Sequence, residues 1–128
     1  MENGRIAIPS IGSGGLDGKR SGHFGHCDVF TVVDVTGGEI TSISTIPNQS
    51  HVQGGCMVPV NLLAENEVNA LIVGGIGMRP LTGFRQSGID VYHEATCLEI
   101  RPVVMDLIAG KIPLIGDNQV CGGGGGLE

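Results

Sequence analysis

Four aliphatic residues in a row, Ala70-Leu71-Ile72-Val73, run straight into Gly74-Gly75-Ile76-Gly77. A run this short has the length of a strand, and with no polar position on either side it must be buried on both faces. A strand buried on both faces needs layers above and below it, so the chain has to set helices around a sheet. The flanking sequence supplies them. Upstream, Val60, Leu63 and Ala64 recur at helical spacing, and Pro59 suits a first turn, where its missing N–H costs nothing. Downstream, a second helix is expected from about Arg79 to Gln86, stopped by Gly88. Ile89–His93 then reads as another strand. Thr96-x-x-Glu99 has the capping-box pattern. Ile100, Val103, Val104, Leu107 and Ile108 form an amphipathic stripe that Gly110 ends. Pro102 falls near the start of that helix and is expected to delay its onset.

The first half of the chain reads differently. Arg5–Pro9 is a strand. Ile11–Gly22 is a Gly/Ser-rich loop, too polar for a core. Val29–Val35 and Glu39–Ile46 flank Thr36-Gly37-Gly38 and together predict a β-hairpin. Pro47–Gly55 is a second polar loop. Helices joining strands make the later strands parallel, and the hairpin adds one antiparallel strand. The expected fold class is therefore α/β: one mixed five-stranded sheet with helices on both faces. The length of 128 residues suits one domain, expected over residues 1–120. Residues 121–128 are expected to be a flexible Gly-rich tail, with Leu127-Glu128 a cloning remnant.

The composition narrows the function classes. The formal net charge is −6 and no basic run occurs, which argues against nucleic acid or an anionic membrane as partner. The N-terminus lacks a signal-peptide pattern and no apolar run approaches the roughly 20 residues of a bilayer span, so a cytoplasmic protein is expected. In a reducing compartment the cysteines, Cys27, Cys56, Cys97 and Cys121, would be thiols rather than disulfides. None sits in a C-x-x-C, which disfavours a zinc ribbon or a thioredoxin motif. There is no G-x-S-x-G elbow, and Asp17, Asp28, Asp34 and Asp90 are scattered. Nothing demands a catalytic base, and the chain is not expected to be an enzyme.

Three constellations could carry chemistry. His23, His26 and Cys27, in Ser21-Gly22-His23-Phe24-Gly25-His26-Cys27-Asp28, are imidazole and thiolate donors where a loop enters a strong strand. They could equally form a polar turn that caps backbone groups, with Asp28 as a strand-start hydrogen-bonding residue. His51 and Cys56 precede the first helix, whose dipole would lower the Cys56 thiol pKa; the alternative is a small buried cysteine. Gly74, Gly75 and Gly77, with Arg79 adding charge, could cradle an anion on backbone N–H groups. The alternative there is a tight strand-to-helix turn, since neither G-x-G-x-x-G nor a Walker lysine is present. Cys97 is expected to pack under the last helix. Cys121, beside the glycine run, could reach back to a site or be an idle thiol.

Taken together, HFGHCDVFTVVDV, GGCMVPVNLLAENEVNALIVGGIGMRPL and GFRQSGIDVYH resemble the dinitrogenase iron–molybdenum cofactor biosynthesis family, which includes NifX and the NifB C-terminal domain. The resemblance runs from about Arg5 to Gly110. It implies a ribonuclease-H-like three-layer α/β/α sandwich and the binding or carriage of an iron–sulfur or molybdenum-containing cluster. In the related orange proteins that cluster is a molybdenum–copper sulfide. The family's histidine maps onto His23 and its glycine turn onto Gly74, Gly75 and Gly77. The resulting expectation is a metal–sulfur cluster carrier (Fe–S, Fe–Mo or Mo–Cu type), with His23, His26, Cys27, Cys56 and Cys121 as metal ligands. A protein partner in cluster assembly or delivery is implied, with the chain a monomer or weak homodimer. The competing readings are a zinc-binding or thiol redox-sensing module and a small enzyme binding a phosphometabolite.

Overall fold

A computed structural model of the chain describes residues 2–22, 24, 27–48 and 57–116. The strands are β1 (Gly4–Ile11), β2 (Lys19–Arg20), β3 (Val29–Thr36), β4 (Glu39–Pro47), β5 (Ala70–Val73) and β6 (Asp90–His93). The helices are α1 (Met57–Glu65), α2 (Met78–Gln86) and α3 (Ile100–Ile108). The main strand order is β4-β3-β1-β5-β6, with β2 paired to β1. β5 is parallel to both β1 and β6, while β3 is antiparallel to β1 and β4. The sheet thus has six strands, not five. The added strand, β2, lies inside the Gly/Ser-rich loop and is set by two register pairs, Ser10 with Arg20 and Ile11 with Lys19.

Alternation along the strands sorts the core into two layers. Ala7, Phe30, Leu71 and Val73 point to the face covered by Val60 and Leu63 of α1 and Leu81 and Phe84 of α2. Ile6, Ile8, Val33 and Ile72 point to the opposite face, under Ile100, Val103 and Leu107 of α3. All four residues of β5 are buried, as a central strand between two helical layers requires. The hairpin turns at Gly37 and Gly38, whose φ values of 62° and 77° are left-handed. Gly88 and Gly110, at φ 80° and 78°, follow the ends of α2 and α3. No helix among the described residues is long and apolar enough to cross a membrane.

Each helix carries proline as its third residue: Pro59, Pro80 and Pro102. The first four N–H groups of a helix have no partner inside it, so proline there sacrifices no hydrogen bond. This explains why Pro102 does not delay α3, which begins two residues ahead of it at Ile100. The capping box expected at Thr96 and Glu99 does not form either. Glu99 is the N-cap residue of α3, but no side chain caps the helix. Thr96 is held by Glu94, which accepts from its N–H at 3.1 Å and its hydroxyl at 2.7 Å. The α3 N-terminus is filled from elsewhere: Ile100 N–H donates to the Gly18 carbonyl at 3.4 Å and Arg101 N–H to the Leu16 carbonyl at 3.2 Å.

Candidate functional site

The parallel strands β1, β5 and β6 all end at one edge of the sheet, and the neighbouring strand pairing puts the start of β3 and the end of β4 there too. Ser10 stands opposite Val29, and Val29 opposite Pro47. The loops 12–28, 74–77 and 94–99, and the chain leaving β4, therefore gather on the carboxyl edge of β1, β5 and β6. This is where open α/β sheets place ligands.

The histidine loop is anchored by its phenylalanine. The Phe24 ring lies 5.8 Å from Phe30 and meets Phe84 edge-on at 5.3 Å, bridging β3 to α2. Cys27 is next to be fixed. It is 6% exposed and belongs to the α1/α2 core layer. Asn48 Nδ2 donates to the Cys27 carbonyl at 2.9 Å and lies 3.4 Å from its Sγ. Burial pushes the thiol up to about 11, against weaker opposing hydrogen bonds from the Ser10 backbone and the Asn48 amide. At neutral pH Cys27 is thus a protonated thiol, and a metal would have to displace that proton to bind it. Asp28 takes the hydrogen-bonding role expected of it, accepting from the Gly12 N–H at 2.7 Å. Asn48 N–H donates to the Asp28 carbonyl at 3.1 Å. Asn48 thereby ties the chain leaving β4 to the end of the histidine loop.

His23, His26, His51, Cys56 and Cys121 lie outside the described residues. Among the described residues no group of three His, Cys, Asp or Glu side chains could hold a metal ion. Cys97 is partly buried against the α3 core layer, as expected, with Sγ 3.6 Å from the Glu99 carbonyl. Neither Cys27 nor Cys97 is in a disulfide.

The glycine turn joins β5 to α2. Gly77 is the N-cap of α2 at φ −75°, ψ 160°, an extended conformation open to any residue. Among the described residues, a Cβ on Gly77 would meet Pro80 Cδ at 3.6 Å and Cγ at 3.9 Å, and one on Gly74 the Glu94 carbonyl at 3.6 Å and Ala95 Cα at 3.8 Å, all ordinary contacts. The fold therefore does not force glycine at either position. The start of α2 also contrasts with that of α3, although both read apolar-Arg-Pro. The Arg101 and Ile100 N–H groups are met by loop carbonyls, whereas no acceptor among the described residues meets those of Met78 and Arg79. Arg79 and Met78 are exposed there.

Behind this turn lies a charge network that the sequence did not announce. Arg20, only 5% exposed, donates from Nη1 to Glu94 Oε1 at 2.8 Å and to the Cys97 carbonyl at 2.6 Å. Its Nη2 donates to the Glu94 carbonyl at 2.7 Å, the same oxygen that approaches Gly74. The Arg20 Nε is buried with no partner among the described residues. Burial alone would raise the Glu94 carboxyl. Hydrogen bonds from the Cys97 N–H, from Thr96 and from Arg20 outweigh it and hold the pKa below the usual carboxylate value. The pair is 74 residues apart in sequence, and a lone arginine in a Gly/Ser-rich loop looks like a solvated charge until the fold is known.

Known proteins share this fold. The orange protein of Desulfovibrio gigas, in its apo form, superposes with a TM-score of 0.78 at 25% identity, covering 88% of this chain and 92% of that one. A Methanocaldococcus jannaschii protein provisionally described as a dinitrogenase superposes at 0.72 with 24% identity, over 91% of this chain and 98% of its own, a likeness of fold. An uncharacterized protein of the same archaeon is 34% identical over 111 residues, 84% of this chain and 88% of its own. Residues 5–110 match the family model described as dinitrogenase iron-molybdenum cofactor. With 106 of its 128 residues inside that match, the chain belongs to the dinitrogenase iron–molybdenum cofactor family.

Proposed function

We propose that the chain binds and carries a metal–sulfur cluster of the iron–sulfur, iron–molybdenum or molybdenum–copper type, as a carrier in cofactor assembly or delivery and not as a catalyst. The observation that carries this reading is the glycine turn that leads into α2 on the ligand-binding edge of the sheet. The Met78 and Arg79 N–H groups meet no acceptor among the described residues, and they follow a turn in which Gly74 and Gly77 have room for a Cβ. Sulfide-rich clusters are anionic, and a helix N-terminus with free N–H groups favours such charge. Gly74, Gly75 and Gly77 would let the cargo approach the backbone closely, and Arg79 would add an exposed cation. His23, His26 and Cys56 would supply ligands, and Cys27 would join them on losing its proton; Cys121 is included on the same ground of donor type. The strand order, with β3 alone reversed among the five long strands, supports the ribonuclease-H-like reading of the fold. Carriage implies a protein partner that gives or receives the cargo.

Anaerobic reconstitution with iron and sulfide, and separately with tetrathiomolybdate and copper, should give visible absorption and a stoichiometric metal content. His23→Ala combined with Cys27→Ala should remove most of both. Unchanged absorption and stoichiometry in that variant would show that these residues are not the ligands. The thiol redox-sensing reading draws less support, because the Cys27 thiol is buried and protonated where a sensor needs an exposed thiolate.

A further inference from the structure

The two edges of the sheet are treated differently by the chain. The outer edge of β6 is covered by the segment after α3: His93 N–H donates to the Pro113 carbonyl at 3.0 Å, Ile115 N–H donates to the Val91 carbonyl at 2.9 Å, and Tyr92 bridges to Leu114. The outer edge of β4 has no such cover among the described residues. β4 is nine residues long and exposed at every position from Thr41 to Thr45, while Ile40 and Ile46 at either end pack against the two core layers. The usual guards of an open edge are scarce. After Glu39 the strand carries no charge, and its only proline is the last residue. One irregularity is present: Asp34 stands opposite Ser42 and Val35 opposite Ile40, which leaves Thr41 as an extra residue near the hairpin turn. From Ser42 to Pro47 the pairing with β3 is regular.

The residues on this edge read the same in both directions. Ile40-Thr41-Ser42-Ile43-Ser44-Thr45-Ile46 is a palindrome centred on Ile43. An antiparallel strand pairing about a two-fold axis sets residue i of one copy against residue j of the other with i and j summing to a constant. Centred on Ile43, it puts Ile43 against itself, Ser42 against Ser44, Thr41 against Thr45 and Ile40 against Ile46. Every cross-strand pair is then of like kind, Ile with Ile or hydroxyl with hydroxyl, which are favourable combinations in antiparallel sheets. Ile43, 44% exposed, would be covered by its own counterpart.

We infer that the occupant of this edge is a second copy of the chain, joined β4 to β4 in an antiparallel, two-fold pairing centred on Ile43, so that one sheet runs through both copies. β4 ends at the ligand-binding edge of its own sheet, so the antiparallel copy presents its ligand-binding edge at the far end. The two cargo sites therefore do not share residues, and pairing and cargo loading are separable.

Sedimentation of the full chain over a wide concentration range tests this. The mass should rise from 13.2 kDa toward twice that value. Ile43→Lys should stay folded by circular dichroism, because the side chain is half exposed, and should remain monomeric, because two like charges would face each other. Ile43→Glu alone should behave the same way. Mixing the two variants should restore a dimer, since position 43 meets only position 43. A wild-type chain that stays monomeric at every concentration would overturn the inference, as would an Ile43→Lys chain that still dimerises. A mixture that fails to reassociate would overturn the Ile43-centred register. Pairing in the wild type without any cluster loading would count against the carrier function alone.

Discussion

At the scale of single residues, the Cys27 thiol shows how packing sets chemistry. Its sequence neighbours, His23 and His26, suggest a ready metal ligand, yet it sits in the apolar layer under α1 and α2, where ionisation is opposed. Its folded pKa of about 11 lies above the ordinary 9.0. Such a group contributes stability that is fully present below pH 9 and is lost as pH rises toward 11, because the unfolded thiol ionises first. Chemical denaturation at pH 8 and pH 10.5 should therefore show a larger loss for wild type than for Cys27→Ala, by about 2 kcal/mol at most. Equal losses in the two proteins would mean that the thiol is not desolvated.

Glu94 has the opposite sign. Its pKa is held below 4.5, so its contribution is present at neutral pH and fades as pH falls through the folded value. Glu94→Gln keeps the shape and some hydrogen bonding but leaves the buried Arg20 guanidinium without its counter-charge. A destabilisation of about 2–4 kcal/mol at pH 7, shrinking in acid, is expected from urea unfolding. A change under about 0.5 kcal/mol would reduce the pair to a surface ion pair in energetic terms.

At the scale of elements, the readable signals were those that depend on neighbours in the chain. The four aliphatic residues of β5, the hairpin around Gly37-Gly38 and the terminators Gly88 and Gly110 all fell where local pattern put them. Pro59 was readable as a first-turn residue as well, whereas Pro102 was expected to delay the onset of its helix. What escaped depends on distant partners. β2 is two residues long and exists because Arg20 and Lys19 meet Ser10 and Ile11. Thr96 had a free choice between capping α3 and bonding Glu94, and the Arg20–Glu94 pair decided it. With Thr96 engaged, the loop carbonyls of Leu16 and Gly18 took over the cap. The site was legible in part: the glycine turn, Asp28 and the loop locations followed from the sequence. The burial of Cys27 behind Asn48 did not, because nothing local says that residue 48 will face residue 27.

At the scale of the whole molecule, the sheet is asymmetric from end to end and from edge to edge. The carboxyl ends of β1, β5 and β6 gather the glycine turn, Cys27 and the segment that carries Glu94 and Cys97. The opposite ends carry the hairpin turn at Gly37-Gly38. One lateral edge is sealed by the chain after α3, and the other is left as the self-complementary strand β4. This division would suit the proposed carrier role: a site at one end that receives and releases cargo, held on a closely packed frame. Two apolar layers on a mixed sheet provide that frame, and the Arg20–Glu94 network locks the loops behind the site to each other.

Whether the glycine turn and the start of α2 hold the cargo is read directly from metal bound per chain after anaerobic reconstitution, compared between wild type and Gly77→Ala. The backbone at Gly77 accepts alanine and its methyl meets Pro80 at ordinary distance, so stability should change by no more than about 1 kcal/mol. Gly88→Ala, at a left-handed φ of 80°, serves as a control that should lose about 1 kcal/mol and keep its loading. The account predicts that Gly77→Ala folds as wild type and retains a minor fraction of the wild-type metal content. Full metal content in Gly77→Ala would contradict it.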